Sequence, residues 1–411
     1  MYYIIIAAFI GVATFTLVGQ MNSLSNVSGE ASSTAVGGWY FTLDFIANIL
    51  ITLVSIYCFA VYSHKFPVVV NVCYITLIVL VFIGSIGDLS LYVKQPSFFY
   101  SAKGLGTWIN FGLLYFVAEE VYTTQLFKLL KGFCYLVVFF NIMRLGMIGG
   151  ISSRADTLSA FGETTIYLIW VYPFFFFDDS DKTNVAKLLK YGMMLLIAFF
   201  AFAIESRSYM LICIMFILVK LKRDLKDSKS TMLIVVMTGM CLLIGYYFVA
   251  NINHFNSIKG ILNVFSGRID DDTRTSQLKE FLQQYNTDKI FSGVGPSGTW
   301  NWYTQKQPKY EWLDNQLILA TWWFGIQTCL VYVLFLAYPL TRKNAYNNIN
   351  ITNAKIMIFF WILACAGFAI YVTFSTKMFY YFITLLIGVA TLNVRELRLF
   401  TVKPQTSPAT I

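Results

Sequence analysis

Long uncharged apolar runs, separated by short polar breaks, constrain this chain more than any other feature. A helix that crosses the hydrocarbon core of a bilayer needs about 20 apolar residues. The candidate spans are Met1 to Val18, Phe41 to Tyr62, Val68 to Gly87, Thr107 to Leu126, Phe133 to Ile151, Thr164 to Phe177, Lys187 to Glu205, Ser208 to Leu225, Met232 to Ala250, Leu313 to Leu340, Lys355 to Phe374 and Phe379 to Val394. The run at Thr164 is short, and the fourth carries Glu119 and Glu120. No strand-length alternation of apolar and polar residues appears, so the spans are helical. The expected fold is an all-α polytopic membrane protein with about 12 transmembrane helices, residues 1–411 forming one transmembrane domain.

Composition excludes the main competitors. The chain is 57% hydrophobic and 12% charged, whereas soluble domains run near a quarter charged and disordered chains are poorer still in apolar residues. A net charge of +9 would suit nucleic acid, but most Lys and Arg sit in short breaks between spans, which makes them a topology signal and leaves no nucleic-acid partner. None of the Cys residues forms a CxxC pair and the two His residues, His64 and His254, are far apart. Neither a disulfide framework nor a zinc centre is indicated.

Orientation follows from those breaks. Lys65, then Lys128 and Lys131, then Lys182, Lys187 and Lys190, then the Lys220 to Lys229 cluster, then Arg342 and Lys343, and finally Arg395, Arg398 and Lys403 mark alternate loops as cytoplasmic. Both termini are then inside, and the long loop, residues 251–312, is extracytoplasmic.

Charge at membrane depth is costly and defaults to function. The corner Ala203-Ile-Glu-Ser-Arg-Ser-Tyr209 puts Glu205 and Arg207 at the outer surface between two apolar segments. A guanidinium there either snorkels in a plain helix corner or holds phosphate oxygens in two-point geometry. The long loop contributes Ser266-Gly-Arg-Ile-Asp-Asp-Asp-Thr-Arg274, with Arg268 and Arg274, followed by an amphipathic segment with Leu278, Phe281, Leu282 and Tyr285 at helical spacing. The acidic triplet lacks the alternating ligands of an EF-hand and reads as an N-cap cluster. A glycine-rich turn, Asp288 to Gly298, lacks the ending of a P-loop. Trp300, Trp302 and Tyr303 stack on sugar faces or belong to an interface belt. The loop closes on Asp314 and Asn315, and Asp314 is an ionisable group near the membrane surface.

Ser206-Arg207 at an outer corner, Ser266-Gly267-Arg268 in a long outer loop, Phe291-Ser-Gly-Val-Gly295 after an amphipathic helix, and Asp314-Asn315 with Gly325 beyond resemble the ordered motifs of the O-antigen polymerase and O-antigen ligase superfamily. The resemblance covers most of the chain. Ligases of that superfamily open the span after the loop with His-Asn; Asp314-Asn315 departs from this and tilts the reading to a polymerase. The resemblance implies glycosyl transfer on the outer face of the bacterial inner membrane, from sugar repeat units linked to undecaprenyl pyrophosphate, without a metal or other cofactor. Arg207, Arg268 and Asp314 would be catalytic; Arg274, Asn315, Glu205, Trp300, Trp302 and Tyr303 would bind substrate. Partners would include the bilayer, and a chain-length regulator and flippase of the same pathway. The alternatives are an O-antigen ligase acting on lipid A-core and a lipid-linked oligosaccharide flippase or transporter. A transporter would display internal repeats and paired Gly/Pro-broken spans, neither of which the sequence displays.

Overall fold

A computed structural model describes residues 37–101, 103–147, 154–178, 183–204, 207–224, 273–285, 287–311, 313, 315–342, 349–367 and 377–392. The expected spans Met1 to Val18 and Met232 to Ala250 lie outside them, as do Glu205, Arg268 and Asp314. The helices are α1 (Gly37–Tyr62), α2 (Val68–Ser85), α3 (Leu89–Lys94), α4 (Leu105–Ile109), α5 (Glu120–Met147), α6 (Arg154–Phe176), α7 (Asn184–Ala203) and α8 (Arg207–Asp224). There follow α9 (Thr273–Gln284), strands β1 (Trp300–Trp302) and β2 (Gln307–Tyr310), α10 (Gln316–Phe324), α11 (Ile326–Thr341), α12 (Ile349–Gly367) and α13 (Lys377–Thr391). The chain is mostly helical, and four stretches among the described residues are long and apolar enough to cross a membrane: Phe45–Lys65, Val68–Lys94, Glu120–Arg144 and Val185–Ala203. This is the architecture of an all-α membrane protein.

The α2 helix shows how such a helix is built. Val70, Cys73, Tyr74, Leu77 and Val81 are buried, while Val68, Val72, Ile75, Val79, Phe82 and Ile83 on the opposite stripe are exposed. Both stripes are apolar at helical spacing. A soluble helix makes its outer stripe polar, so this one faces lipid.

At the centre stand short elements with almost no exposed surface: residues Thr164–Phe176 of α6, Tyr380–Thr391 of α13, and the segment Leu105–Ala118. That last segment is α4 continued by a 3₁₀ helix over Asn110–Ala118, nine residues long. Runs beyond three or four residues are uncommon in this tighter winding. Its greater rise lets the fourteen residues reach about 25 Å, against about 21 Å as α-helix. Asn110 anchors it: its amide donates to the Tyr381 hydroxyl at 3.0 Å, its carbonyl accepts from Thr52 at 2.6 Å, and Tyr381 donates to Asn48 at 2.5 Å.

Two expected spans are corrected. The run Thr107 to Leu126 is broken at Glu119, whose backbone leaves helical values and whose carboxylate accepts a hydrogen bond from Tyr62. The run that starts at Phe133 continues, through Met147, the 28-residue α5 that begins at Glu120, so Lys128 and Lys131 lie inside a continuous helix and do not mark a loop. At 1.5 Å per residue α5 is about 42 Å long, more than the roughly 30 Å hydrocarbon core. Gln125 and Lys128 are exposed in its first three turns, and Leu136, Phe139, Ile142 and Met143 are exposed apolar residues further along.

Side-chain contacts fix which helix ends share a side. Tyr62 at the end of α1 meets Glu119 at the start of α5, and Phe127 of α5 packs on Phe174 of α6. Lys190 of α7 reaches the Asp178 carbonyl at 2.7 Å, and Tyr191 donates to Asp224 of α8 at 3.0 Å. These define one end of the bundle. Asp88 beyond α2, Lys103 before α4 and the α7–α8 corner therefore lie at the other, where the chain segment from Thr273 onward docks.

Candidate functional site

The docked segment packs α9 and the β1–β2 hairpin onto the same apolar core as the bundle. Phe281 on α9 is buried against Trp300 and Trp322 in edge-to-face contacts, with ring centroids 5.6 and 5.3 Å apart. Trp300 stacks on Trp302 at 6.1 Å, and Tyr310 on β2 meets both rings. Each such pair is worth about 0.5–1.5 kcal/mol beyond the area it buries. Trp300 is therefore core, while Tyr303 in the hairpin turn is 67% exposed. Glu280 of α9 holds that turn: its carboxylate accepts from the Tyr303 N–H at 2.7 Å, the Thr304 N–H at 3.3 Å and the Thr304 hydroxyl. Those donors, the hydroxyl foremost, hold its carboxyl below the usual range. Of the four expected apolar positions on α9, Phe281 is buried, Leu278 and Tyr285 are packed against the core, and Leu282 is exposed.

The glycine-rich turn joins this segment to the bundle through backbone. Val294 N–H donates to the Trp322 carbonyl at 2.8 Å and Gly295 N–H to the Trp323 carbonyl at 3.0 Å. Both carbonyls belong to the last turn of α10, where a helix leaves its acceptors unsatisfied. In the other direction Ile326 N–H, the first of α11, donates to the Ile290 carbonyl at 2.8 Å. The expected span Leu313 to Leu340 is thus two helices hinged at Gly325, with φ of 87°. Non-helical backbone at such depth survives only where protein satisfies it, and here the turn does. Gly293 and Gly295 also have positive φ, 70° and 85°, a conformation open to glycine at little cost. Beside the turn, Ser297 donates to both oxygens of Asp88, through its N–H at 3.0 Å and its hydroxyl at 2.5 Å.

The chain between hairpin and α10 is tied at several points. Asn315 caps α10, accepting from the Ile318 N–H at 3.0 Å, and its amide donates to the Ala366 carbonyl of α12 at 2.7 Å. Such a cap is worth about 1 kcal/mol. Leu313 is buried. Glu311 pairs with Lys103 at 2.5 Å. Lys103 is 3% exposed and also lies over the Trp323 ring, 5.1 Å from its centroid. Burial lowers its pKa, and the Glu311 carboxylate offsets part of that. This lysine escaped the sequence reading, in which it is an ordinary loop cation. Its neighbours, Tyr100-Ser-Ala-Lys-Gly104, have nothing periodic to mark them.

The expected site residues divide as follows. Arg207 opens α8 at the loop end of the bundle, and Arg274 lies in the first turn of α9. Trp300 and Trp302 are packing residues of the hairpin, Tyr303 is on its surface, and Asn315 is a helix cap. Glu205, Arg268 and Asp314 lie outside the described residues. Among the described residues no group of three or more His, Cys, Asp or Glu side chains is arranged to hold a metal ion.

No family model, curated protein or solved structure matches the chain.

Proposed function

We propose that this protein is a membrane glycosyltransferase, an O-antigen or related surface-polysaccharide polymerase that joins repeat units carried on undecaprenyl pyrophosphate at the outer face of the bacterial inner membrane. One observation carries the reading. The turn Phe291–Gly295 is hydrogen-bonded onto the helix break that follows the Asn315 cap, so two motif segments separated in sequence form one unit. Arg207 opens α8 at the same end of the bundle.

The chemistry asks little beyond positioning and charge stabilisation. The acceptor hydroxyl attacks the anomeric carbon of the donor sugar; the bond from that carbon to the pyrophosphate breaks, and its electron pair leaves with the pyrophosphate. Arg207 and Arg268, always charged and able to grip phosphate oxygens in pairs, would stabilise the leaving anion. Asp314 would take the hydroxyl proton. The test is purified protein given lipid-linked repeat units alone. Chain growth without any separate acceptor supports the polymerase; growth only when lipid A-core is added makes it a ligase.

A carrier is the second reading, and the break at Gly325 favours it. Discontinuous helices form the substrate and ion sites of many transporters, and the sequence gives no sign of this one. Cells lacking the protein separate the two. Lipid-linked units accumulate on the inner leaflet if a carrier is lost and on the outer leaflet if a polymerase is lost.

A further inference from the structure

Lys103 is a buried cation at the loop end, seated over the Trp323 ring and bonded to Glu311. A buried lysine costs free energy unless it is paired, and a leucine or methionine would fill the same space at lower cost. The partner it has, Glu311, lies 208 residues away in sequence and is 47% exposed. The pair therefore costs the lysine its hydration and the glutamate little. What the bond achieves is mechanical: it ties the exit of the β2 strand to the short chain before α4. Further along the chain Leu313 is buried and Asn315 is held by Ile318 and Ala366.

We propose that Lys103 is a positioning residue, which through its bond to Glu311 sets the course of the chain into α10. This rests on the polymerase reading for its kinetic consequence and stands apart from it for its structural one. A residue acting by position changes turnover more than binding, because misplacement of about 1 Å in a reacting geometry costs up to about a hundredfold in rate.

The experiment compares wild type with Lys103→Met, Lys103→Arg and the exchange Lys103→Glu with Glu311→Lys, all purified in the same detergent. Hydrogen exchange at the Ile318 and Leu319 amides reads the clasp whether or not the protein makes polymer. Faster exchange in Lys103→Met, with near wild-type rates in Lys103→Arg, is the result expected. Unchanged exchange in Lys103→Met overturns the proposal. With lipid-linked repeat units, Lys103→Met is expected to lose about tenfold or more in kcat, with KM changed little. The exchange variant is expected to recover part of the loss. Full turnover in Lys103→Met overturns the kinetic role, and a rise in KM with kcat intact makes Lys103 a donor ligand instead. If wild type itself makes no polymer, the polymerase reading fails, and the exchange measurement still decides the clasp. Lys103→Arg keeps the charge and guards against reading misfolding as loss of position.

Discussion

Asp88 and Ser297 stand 209 residues apart in sequence and meet through two hydrogen bonds, one from the serine N–H at 3.0 Å and one from its hydroxyl at 2.5 Å. The same turn donates Val294 and Gly295 N–H groups to the end of α10. Side chain and backbone thus hold one surface from two directions, and the backbone part is the harder to replace.

The glycines of that joint give the first prediction. A Cβ at Gly295 would sit 2.7 Å from the Asp88 carboxylate, and one at Gly293 or Gly325 would run into the carbonyl of Trp323 or Phe291; all three have positive φ. Gly293→Ala, Gly295→Ala and Gly325→Ala should each cost about 1–3 kcal/mol or more. Gly132→Ala, in α5 with open space around it, should be neutral or stabilise by up to about 1 kcal/mol. Thermal unfolding of the four variants in detergent ranks them.

The Lys103–Glu311 pair should respond unequally to removal of its members. Glu311→Gln leaves a buried ammonium without its carboxylate, whereas Lys103→Met leaves a half-exposed carboxylate that water can take over. The first should be the more destabilising by about 1 kcal/mol or more. Sign also follows for pH. Burial lowers the Lys103 pKa from 10.5, so between its folded value and 10.5 the unfolded chain holds more protons and stability rises with pH. In Glu311→Gln that rise should begin at lower pH, which unfolding across an alkaline series will show.

Glu280 should make the hairpin turn acid-sensitive. Its carboxyl is held below the ordinary 4.5 by the Thr304 hydroxyl first and then by the Thr304 and Tyr303 N–H groups. A depressed carboxyl supports the fold fully above the unfolded value and loses that support as pH falls through the folded one. Amide exchange at Tyr303 and Thr304, corrected for its intrinsic pH dependence, should accelerate in wild type as pH falls below the ordinary 4.5 and through the lower folded value. In Glu280→Gln it should be fast throughout.

The arrangement of helix ends, combined with the proposed orientation, predicts labelling. In a background without native cysteines, a cysteine at Gly298 should react with an impermeant thiol reagent in spheroplasts, and one at His64 should not. Reaction at His64 alone would invert the protein in the membrane.

On the polymerase reading, Arg207→Ala and Arg268→Ala should each abolish polymer at normal membrane abundance, and lysine should rescue poorly for want of a two-point grip. Asp314→Asn should slow growth by about a hundredfold if the carboxylate is the base. Polymer length on gels and membrane immunoblots decide these together.

The apolar helices were legible because bilayer burial acts on each helix separately. Phe41 to Tyr62, Val68 to Gly87, Lys187 to Glu205, Ser208 to Leu225 and Phe379 to Val394 coincide with helices to within a few residues, whereas the run at Thr164 is the second half of a helix that starts at Arg154. The exceptions have tertiary causes. Nothing in Leu313 to Leu340 marks Gly325 as a break, since the acceptors and donors that stabilise it belong to Ile290, Val294 and Gly295. Lys128 and Lys131 read as a loop because charge is ordinarily found in breaks, yet a long aliphatic stem lets a helical lysine carry its ammonium toward the interface. Trp300 and Trp302 read as sugar platforms or an interface belt, and the structure packs them with Phe281 and Tyr310 around the hairpin. Lys103 was invisible for the opposite reason: only its partner, 208 residues on, gives it meaning.

The 3₁₀ winding of Asn110–Ala118 turns that segment into a three-sided prism, because residues three apart eclipse one another. One edge, Gly112 and Tyr115, faces α1 and α2: a Cβ at Gly112 would meet the Tyr74 hydroxyl and the Ser55 carbonyl, and Tyr115 packs on Phe59, Phe66 and Tyr74. A second edge, Phe111, Leu114 and Val117, faces α11 and α13, where Phe111 meets Tyr332, Phe335 and Tyr380, and Gly388 passes against Leu114 and Val117. An α-helix would rotate each residue about 20° less and drift off these flat walls within a few positions. A single inserted residue would advance the whole prism by one side, turning Tyr115 away from α1 and α2 and an apolar edge into the place of Asn110. The segment therefore works as a key of fixed length and phase, and the helices around it are cut to that shape.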